Sequence, residues 1–345
     1  GYTYTTHYYA IVGVTRDGQL LADGVRAASS EWADILGAAE EEPVQGYETE
    51  DYIRRASYRT GLAFSTRYAA MIDHEGFLES TGEVNGSAWF GGYDEWHDLV
   101  SIAGTFSHIV GLRADGTVVA DGLNNSNQCD VDSWWNITEV AAGDLFTVGL
   151  TEYGMVAYAG TTEKSAHLAK YWSNIMAIDA CDDHVVGLRA DGTALSTAAE
   201  YGRGFTEVLS WSHLVDIAAG ENNSAAGILV DGTVVATRNV PFHQPDDFVN
   251  LADIAFSGEV LYGLRSDGMV VASDPEAAAE VAQWTDVIQI DGCGDVLLGM
   301  KTDGSLLWAG WPEYADEEIP ETLAGWNFYG DEDEREAPFF YDIYA

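Results

Sequence analysis

The sequence predicts an all-β protein, a β-propeller of eight short repeat units of about three strands each, with seven blades as the alternative count. Three observations predict this fold. A hairpin with a central glycine recurs eight times along the 345 residues, and a second glycine recurs at a fixed distance before the turn in seven of the copies. An aromatic residue and a short apolar strand precede most of the hairpins. Repeats of this length are typical of folds that stack one small unit many times.

The hairpin is clearest in residues 108–122, HIVGLRADGTVVADG, and in residues 184–198, HVVGLRADGTALSTA, which align without a gap. Apolar residues flank an Asp-Gly turn, where glycine adopts the required positive φ without steric cost. After a first gap of 58 residues, the turn glycines are spaced by 40, 38, 38, 40, 36 and 36 residues. They are Gly18, Gly76, Gly116, Gly154, Gly192, Gly232, Gly268 and Gly304.

The second glycine lies five residues before the turn glycine in seven copies, and Met71 replaces it in the weakest copy. A glycine inside a strand usually marks a close approach, which predicts that neighbouring blades press together there. The aromatic residue recurs once per unit, so we expect it to pack between blades. The aromatic positions are Trp32, Trp96, Trp134, Trp172, Trp211, Phe248 and Trp284.

Three strands cannot bury an apolar face alone, whereas stacking such units in a ring does so and removes long exposed edges. The first unit has no aromatic element before it, and a spare one, Trp326-Asn327-Phe328, follows the last unit. We therefore expect the C-terminal segment to close the ring. The predicted domains are a single propeller over residues 1–330 and an acidic, aromatic tail over residues 331–345.

Charge restricts the possible partners. The chain has 57 acidic and 15 basic residues, a formal net charge of −42. A polyanion repels phosphate backbones and anionic lipids, so we expect no nucleic-acid partner. A basic partner or a metal cation would be attracted, and solubility alone is the alternative explanation. No apolar run approaches the roughly 20 residues that span a bilayer, so no membrane insertion is expected.

The repeat resembles that of the regulator of chromosome condensation superfamily. The resemblance rests on His108–Val118, on His184–Thr193 and on the loop Asn124–Gln128, and it extends over roughly residues 2–330. The short unit is most similar to bacterial members such as the propeller that inhibits β-lactamases. The resemblance implies a propeller, and it assigns no functional residue. We expect a bacterial protein in an extracellular or cell-surface location, with the cytoplasm as the alternative.

Departures from a repeat often mark the binding face of such folds. Three loops depart here, at residues 36–57, 83–95 and 311–322, and they combine aromatic residues with carboxylates. We expect them to bind a protein partner, possibly a basic one, because aromatic anchors with polar surroundings are typical of interfaces. A glycan ligand is the alternative, and packing of these aromatics within their own loops is a third. The candidate binding residues are Tyr47, Tyr52, Trp89, Phe90, Tyr93, Trp311 and Tyr314.

Catalysis is the rival class. The sequence contains no recognisable nucleophile, metalloprotease or nucleotide-binding motif, so no catalytic residue is assigned. A glycosidase or lyase that needs only two carboxylates stays open. His108 and His184 share one repeat position, which holds valine in other copies, so a structural role is expected for both.

Metal binding rests on one polar loop. Asp121, Asn124, Asn125, Asp130 and Asp132 lie close together in the chain and offer the oxygen ligands that calcium prefers. Turn formation by Asn and Asp is the simpler explanation, so no metal site and no cofactor are assigned.

Overall fold

The computed structural model describes residues 11–14, 20–23, 62–65, 68–72 and 76–82, and residues 96–310 except 106, 164, 201, 203–204, 242–246 and 295. Contacts divide the chain into two compact units, residues 1–56 with 336–345 and residues 57–335. The predicted closing element at residues 326–328 lies outside the described residues. The predicted domain boundary at residue 330 lies outside them too and stays a prediction.

The first unit contains one described hairpin of two antiparallel strands, β1 (Ile11–Val14) and β2 (Leu20–Asp23). Gly13 lies opposite Leu21 in this pair. The same register recurs in the second unit, where Gly111 lies opposite Val119. The N-terminal copy of the repeat therefore forms the hairpin that its sequence predicts.

The second unit contains seven described sheets, each of three antiparallel strands in chain order. We call them the first to the seventh blade. Their strands are β3 (Leu62–Ser65), β4 (Tyr68–Ile72) and β5 (Leu78–Gly82); β6 (Leu99–Gly104), β7 (His108–Arg113) and β8 (Val118–Gly122); β9 (Ile137–Gly143), β10 (Phe146–Thr151) and β11 (Val156–Gly160); β12 (Ile175–Cys181), β13 (His184–Arg189) and β14 (Ala194–Ser196); β15 (Leu214–Gly220), β16 (Ser224–Leu229) and β17 (Val234–Ala236); β18 (Leu251–Ser257), β19 (Val260–Arg265) and β20 (Val270–Ala272); and β21 (Val287–Cys293), β22 (Val296–Lys301) and β23 (Leu306–Ala309).

Short helices interrupt the connections between blades. Among the described residues, two are α-helical, α1 (Thr197–Glu200) and α2 (Pro275–Val281), and 3-10 turns occupy Ser165–Tyr171 and Thr206–Ser210. A further 3-10 turn, Glu221–Asn223, lies within the fifth blade, between β15 and β16. The helix α2 begins after Asp274, whose carboxylate accepts hydrogen bonds from the backbone N–H groups of Glu276 and Ala277. Such a cap satisfies donors that have no partner inside the helix.

The first strands of the seven blades form a closed cycle. Each of β3, β6, β9, β12, β15 and β18 contacts the first strand of the next blade, and β21 contacts β3. The fold is therefore an all-β propeller of three-stranded blades, as predicted. The preferred count of eight is not confirmed, and seven sheets take part in this cycle. No aromatic motif precedes the strand β3 (Leu62–Ser65), although one precedes the other first strands. The sequence therefore did not show that the first blade, which contains Gly76, has three strands.

Aromatic residues fill the space between blades, as predicted. Trp172 is 5% exposed and packs in one apolar cluster with Phe146 and Val148 of the third blade and Val185 of the fourth. The glycine of the middle strand faces this ring, since a Cβ atom on Gly187 would lie 2.7 Å from the indole of Trp172. The fixed spacing of the two residues thus has a steric cause in this blade. The nearest side chain to the glycine is the tryptophan that leads into the same blade at Gly149, Gly187 and Gly299, and it is the first leucine of the first strand at Gly111, Gly227 and Gly263.

In the second to seventh blades, the residue before the first strand joins two blades. It adopts a left-handed conformation with φ between 55° and 62°, which Asn and Asp tolerate better than most residues. At Asn136, the carbonyl accepts a hydrogen bond of 2.9 Å from the N–H of Glu152 in the same blade. The next residue, Ile137, donates one of 3.1 Å to the carbonyl of Gly116 in the preceding blade. The equivalent residues are Asp98, Asn136, Asn174, His213, Asn250 and Asp286.

These bonds define the two ends of the ring. We call the end where the first strands begin, and where the second hairpin of each blade turns, the front face. The opposite end, where the first hairpins turn, is the back face.

Candidate functional site

The binding residues predicted from sequence lie outside the described part of the chain. This holds for Tyr47, Tyr52, Trp89, Phe90, Tyr93, Trp311 and Tyr314, and for the loops 36–57, 83–95 and 311–322. Their role in binding stays a prediction.

A different surface stands out on the front face. The side chains of Trp135, Tyr153, Met155 and Met176 are 67%, 69%, 48% and 63% exposed. We call these four residues the front patch. Trp135 precedes β9, Tyr153 and Met155 lie in the turn between β10 and β11, and Met176 is the second residue of β12.

Hydrogen bonds bring these distant parts of the sequence together. The side-chain amide of Asn136 donates to the hydroxyl oxygen of Tyr153 at 3.3 Å and also to the carboxylate of Glu152. The carbonyl of Gly154 accepts a bond of 3.1 Å from the N–H of Ile175, which places the turn of the third blade beside the start of β12. The residues of the front patch therefore lie on adjoining segments of two neighbouring blades.

The front patch coincides with a break in the repeat. Trp135 occupies a position that holds His97, Ser173, Ser212, Val249 or Thr285 in other blades. Tyr153 replaces a turn aspartate, which is Asp115, Asp191, Asp231, Asp267 or Asp303 elsewhere. Met155 stands where other blades have Thr117, Thr193, Thr233, Met269 or Ser305.

The break removes hydrogen bonds that stabilise the other turns. In the second blade, the carboxylate of Asp115 accepts bonds of 2.9 Å and 2.6 Å from the N–H and the hydroxyl of Thr117. These bonds, led by that of the hydroxyl, hold the pKa of Asp115 below its usual range. Tyr153 has no carboxylate and Met155 no hydroxyl, so the third blade uses a different pair of bonds: the Thr151 hydroxyl accepts one of 3.1 Å from the N–H of Met155 and donates one of 3.1 Å to its carbonyl. The third blade thus exposes two large side chains in a turn where the second and fourth blades have an aspartate bonded to a threonine.

Met176 is exposed because of a β-bulge. The pairing of β12 with β13 shifts register between Ile175 and Ala177, so Met176 has no partner opposite it. Bulges re-aim the side chain of the extra residue. The same shift recurs in the other blades from the second to the seventh, at Val100, Thr138, Val215, Ala252 and Ile288. Val215, the equivalent residue of the fifth blade, is also exposed, by 52%.

The front face around this patch is acidic. Within the second hairpin turns of the second to seventh blades, every exposed charged side chain in the described part of the chain is a carboxylate. The nearby basic residues are only half exposed, and two of them are neutralised locally: Arg265 lies 2.7 Å from Asp267, and Lys301 lies 3.8 Å from Asp303. The exposed turn carboxylates are Asp115, Glu152, Asp191, Asp231, Asp267 and Asp303.

Carboxylates of the first strands join blades inside the ring. The carboxylate of Asp179 accepts bonds of 2.8 Å from the N–H of Ala180 and 2.7 Å from that of Ala219 in the next blade. Glu139 accepts one of 3.1 Å from the N–H of Ile178 in the same way. These bonds satisfy backbone N–H groups on the free edges of the first strands, where no neighbouring strand supplies an acceptor. They give the carboxylates a structural role.

Asp291 shows that carboxylates also face one another across the ring. Burial, and after it the negative charge of Asp179, raise the pKa of Asp291 to about 8. Asp291 lies in the seventh blade and Asp179 in the fourth, so their interaction runs through the middle of the ring. Asp291 is accordingly protonated at neutral pH, which lowers the repulsion among these groups.

The two histidines of the repeat position are structural, as predicted. His108 and His184 are fully buried. The Nε2 atom of His108 lies 2.8 Å from the hydroxyl of Thr147, and that of His184 lies 3.0 Å from the carbonyl of Ser224, each in the following blade. Burial lowers the pKa of His108 to about 4, so its imidazole is neutral at physiological pH.

The polar loop considered for calcium binds its own groups. The side-chain amide of Asn124 donates to Asp130 at 2.9 Å, and its oxygen accepts from the N–H of Cys129 at 3.0 Å. Asp121 accepts from the N–H of Gly122 at 2.9 Å. Among the described residues, no group of three or more His, Cys, Asp or Glu side chains is arranged to hold a metal ion.

No helix in the described part of the chain has the length and the apolar character needed to cross a bilayer.

Comparison with known proteins supports the fold. No family model matches the chain, and no curated protein matches its sequence. Solved structures do match, including the CRINKLY WD40 ectodomain of the Arabidopsis thaliana receptor kinase ACR4, with a TM-score of 0.53, 14% identity, and coverage of 74% of this chain and 97% of that one. Prp20p from Saccharomyces cerevisiae matches with a TM-score of 0.51 and 16% identity over 76% of this chain and 84% of its own. Human WBSCR16 matches with a TM-score of 0.55 and 12% identity over 71% and 87%.

These matches establish the fold. The chain has the fold of a repeat propeller of the regulator-of-chromosome-condensation type, which confirms the resemblance noted in the repeat. Identities this low establish the fold alone. The closer similarity to the bacterial propeller that inhibits β-lactamases stays a prediction.

The front patch was not predicted from the sequence, because it contains no insertion. The patch lies inside the regular repeat and changes side chains without changing length. A comparison of each repeat position across copies would have found it, because EYGM replaces ADGT in one turn and Trp135 follows Trp134 directly.

Proposed function

We propose that this protein is a non-catalytic scaffold that binds a protein partner through the front patch. One observation carries the proposal. Trp135 and Tyr153 present large aromatic side chains to solvent at positions that hold smaller or polar residues in the second and the fourth to seventh blades, and Met155 and Met176 add exposed apolar area beside them. Tryptophan, tyrosine and methionine are enriched at protein interfaces, so a surface that exposes all three fits a binding role.

The related folds are consistent with such a role. The structures that match include one of Prp20p, described with its binding properties to Gsp1p and histones, and one of yeast RCC1 (Prp20) bound to Kap60. A propeller ring presents its faces as rigid platforms, which suits binding without chemistry. The predicted loops 36–57, 83–95 and 311–322 would add further contacts with the partner.

The test uses variants that restore the repeat. In the triple variant Trp135→Ser, Met155→Thr and Met176→Ala, small or polar residues replace three residues of the front patch without adding charge. The matched control is Met269→Thr, the same change at the same repeat position of the sixth blade. A partner is isolated by affinity capture, identified, purified and titrated against each variant.

We expect the triple variant to weaken the partner's affinity by at least about tenfold, equivalent to about 1.4 kcal/mol. The control should bind as the wild type does, and the Tm of both should stay within a few degrees of it. Equal affinity of the triple variant and the wild type would show that the front patch is not the binding surface.

A glycan ligand is the second candidate. Trp135 and Tyr153 are exposed aromatic rings beside the carboxylate of Glu152, an arrangement that also suits stacking on a sugar ring. Glycan-array binding that the triple variant abolishes, with no protein captured, would favour this alternative.

A further inference from the structure

We propose that the front patch receives a basic amphipathic segment of the partner, whose apolar side chains cover the patch and whose lysine or arginine side chains meet the surrounding carboxylates. This inference rests on the proposed function and specifies the chemistry of the partner.

The first argument is the charge immediately around the patch. Glu152 belongs to the same turn as Tyr153 and Met155 and is exposed. Asp132 is exposed three residues before Trp135. On the other side, Asp191 is exposed in the turn of the fourth blade, and the carbonyl of Gly192 accepts a bond of 3.0 Å from the N–H of Leu214, the residue before Val215. An apolar segment that lies on the patch therefore meets exposed carboxylates at the third blade and in the turn of the fourth, where the one basic side chain, Arg189, is partly buried and lies opposite Ile175 in the β12–β13 pair.

The second argument concerns which occupants this charge disfavours. A second copy of the chain would bring two formal charges of −42 and two acidic front faces together. An acidic or phosphorylated segment would meet the same repulsion. Cations are favoured instead, and the field of the whole chain would speed their arrival, because long-range attraction raises association rates.

The third argument concerns the apolar half of the contact. Met155 and Met176 are flexible and polarizable, so they adapt to side chains of different shape. Trp135 and Tyr153 supply larger, stiffer surfaces. The patch therefore selects for apolar character and charge more than for one particular shape, which suits a short amphipathic segment.

The test measures binding of three fluorescent peptides of about 14 residues, enough for about four helical turns. The first has leucine on one face and lysine on the other. The second has glutamate in place of every lysine, and the third has serine in place of every leucine. Fluorescence anisotropy gives Kd for each peptide against the wild-type chain, the triple variant, the control Met269→Thr, and the charge variant Glu152→Gln with Asp191→Asn.

We expect the lysine–leucine peptide to bind the wild type at least about tenfold more tightly than either other peptide. The triple variant should lose that advantage, the control should keep it, and the charge variant should weaken it severalfold. An increase from about 0.1 M to about 1 M salt, which shortens the Debye length from about 10 Å to about 3 Å, should weaken it as well.

Two results would overturn the inference. If the glutamate–leucine peptide binds as tightly as the lysine–leucine peptide and the triple variant weakens both, the patch binds apolar segments without regard to charge, and the proposed function survives. If the lysine–leucine peptide binds the triple variant as tightly as the wild type, the basic segment binds elsewhere. Affinity of the captured partner for the triple variant then decides the proposed function separately.

Discussion

The contact between Trp172 and Gly187 provides a quantitative test of how the blades pack. A Cβ atom on Gly187 would lie 2.7 Å and 3.0 Å from two carbons of the indole six-membered ring. Both distances are shorter than ordinary van der Waals contact, and the ring is enclosed in the apolar cluster between the third and fourth blades. The substitution Gly187→Ala should therefore force the ring or the strand to move.

The expected cost combines two opposite effects. Overpacking in a well-packed core costs about 1–3 kcal/mol. Alanine in place of a strand glycine regains about 0.5–1 kcal/mol, because the unfolded chain loses freedom. We expect Gly187→Ala to lower the free energy of unfolding by about 1–2 kcal/mol, measured by equilibrium denaturation.

A double-mutant cycle isolates the contact. Phenylalanine lacks the indole carbons that Gly187 faces, so Trp172→Phe should relieve the clash and make the double variant more stable than the sum of the single effects by about 0.5–2 kcal/mol. The matched control pairs Gly187→Ala with Trp284→Phe, the same change between the sixth and seventh blades, and should be additive. Additivity in both cycles would refute the steric explanation of the repeat glycine.

Three further predictions concern the patch and the buried titratable groups. The variant Tyr153→Asp with Met155→Thr should keep or raise the Tm, because it rebuilds the polar turn of the other blades, and it should weaken partner binding. If the Tm and the partner affinity both fall, the two residues have a structural role instead. The pKa of His108 is about 4 in the fold and about 6.5 in the unfolded chain. The free energy of unfolding should therefore be unaffected by this group above about pH 6.5 and should fall by about 3 kcal/mol as the pH falls towards 4. Denaturation curves of His108→Gln should therefore show a weaker pH dependence over this range, and an unchanged dependence would contradict the assignment. The pKa of Asp291 is raised to about 8, so this group should make the fold less stable as the pH rises from about 4 to about 8. The variant Asp291→Asn should therefore have a higher Tm than the wild type over that range and an equal one below it.

The sequence was sufficient for the fold because the repeat encodes local and interblade constraints together. The Asp-Gly turn, the left-handed Asn or Asp and the aromatic residue each recur at fixed spacing, and each has a visible physical cause in the structure. The blade count was harder to predict. The strand β3 carries none of these marks, and only its contact with β21 shows that the cycle is complete.

The candidate site was less predictable. Loop insertions suggested aromatic residues such as Tyr47 and Trp89, which lie outside the described residues. The front patch depends on which residues of a regular unit reach solvent, and exposure of Met176 follows from a bulge in β12 that leaves no mark in chain length. Which side chains are exposed at such positions can be read only from the structure.

Site-specific crosslinking tests the central claim most directly. A photoreactive amino acid replaces Tyr153 on the front face in one variant and Asn222, an exposed residue of a back-face turn, in the other. The account predicts that the same identified partner protein crosslinks to position 153 and not to position 222. A partner that crosslinks to position 222 alone, or equally to both positions, would contradict a scaffold that binds through its front patch.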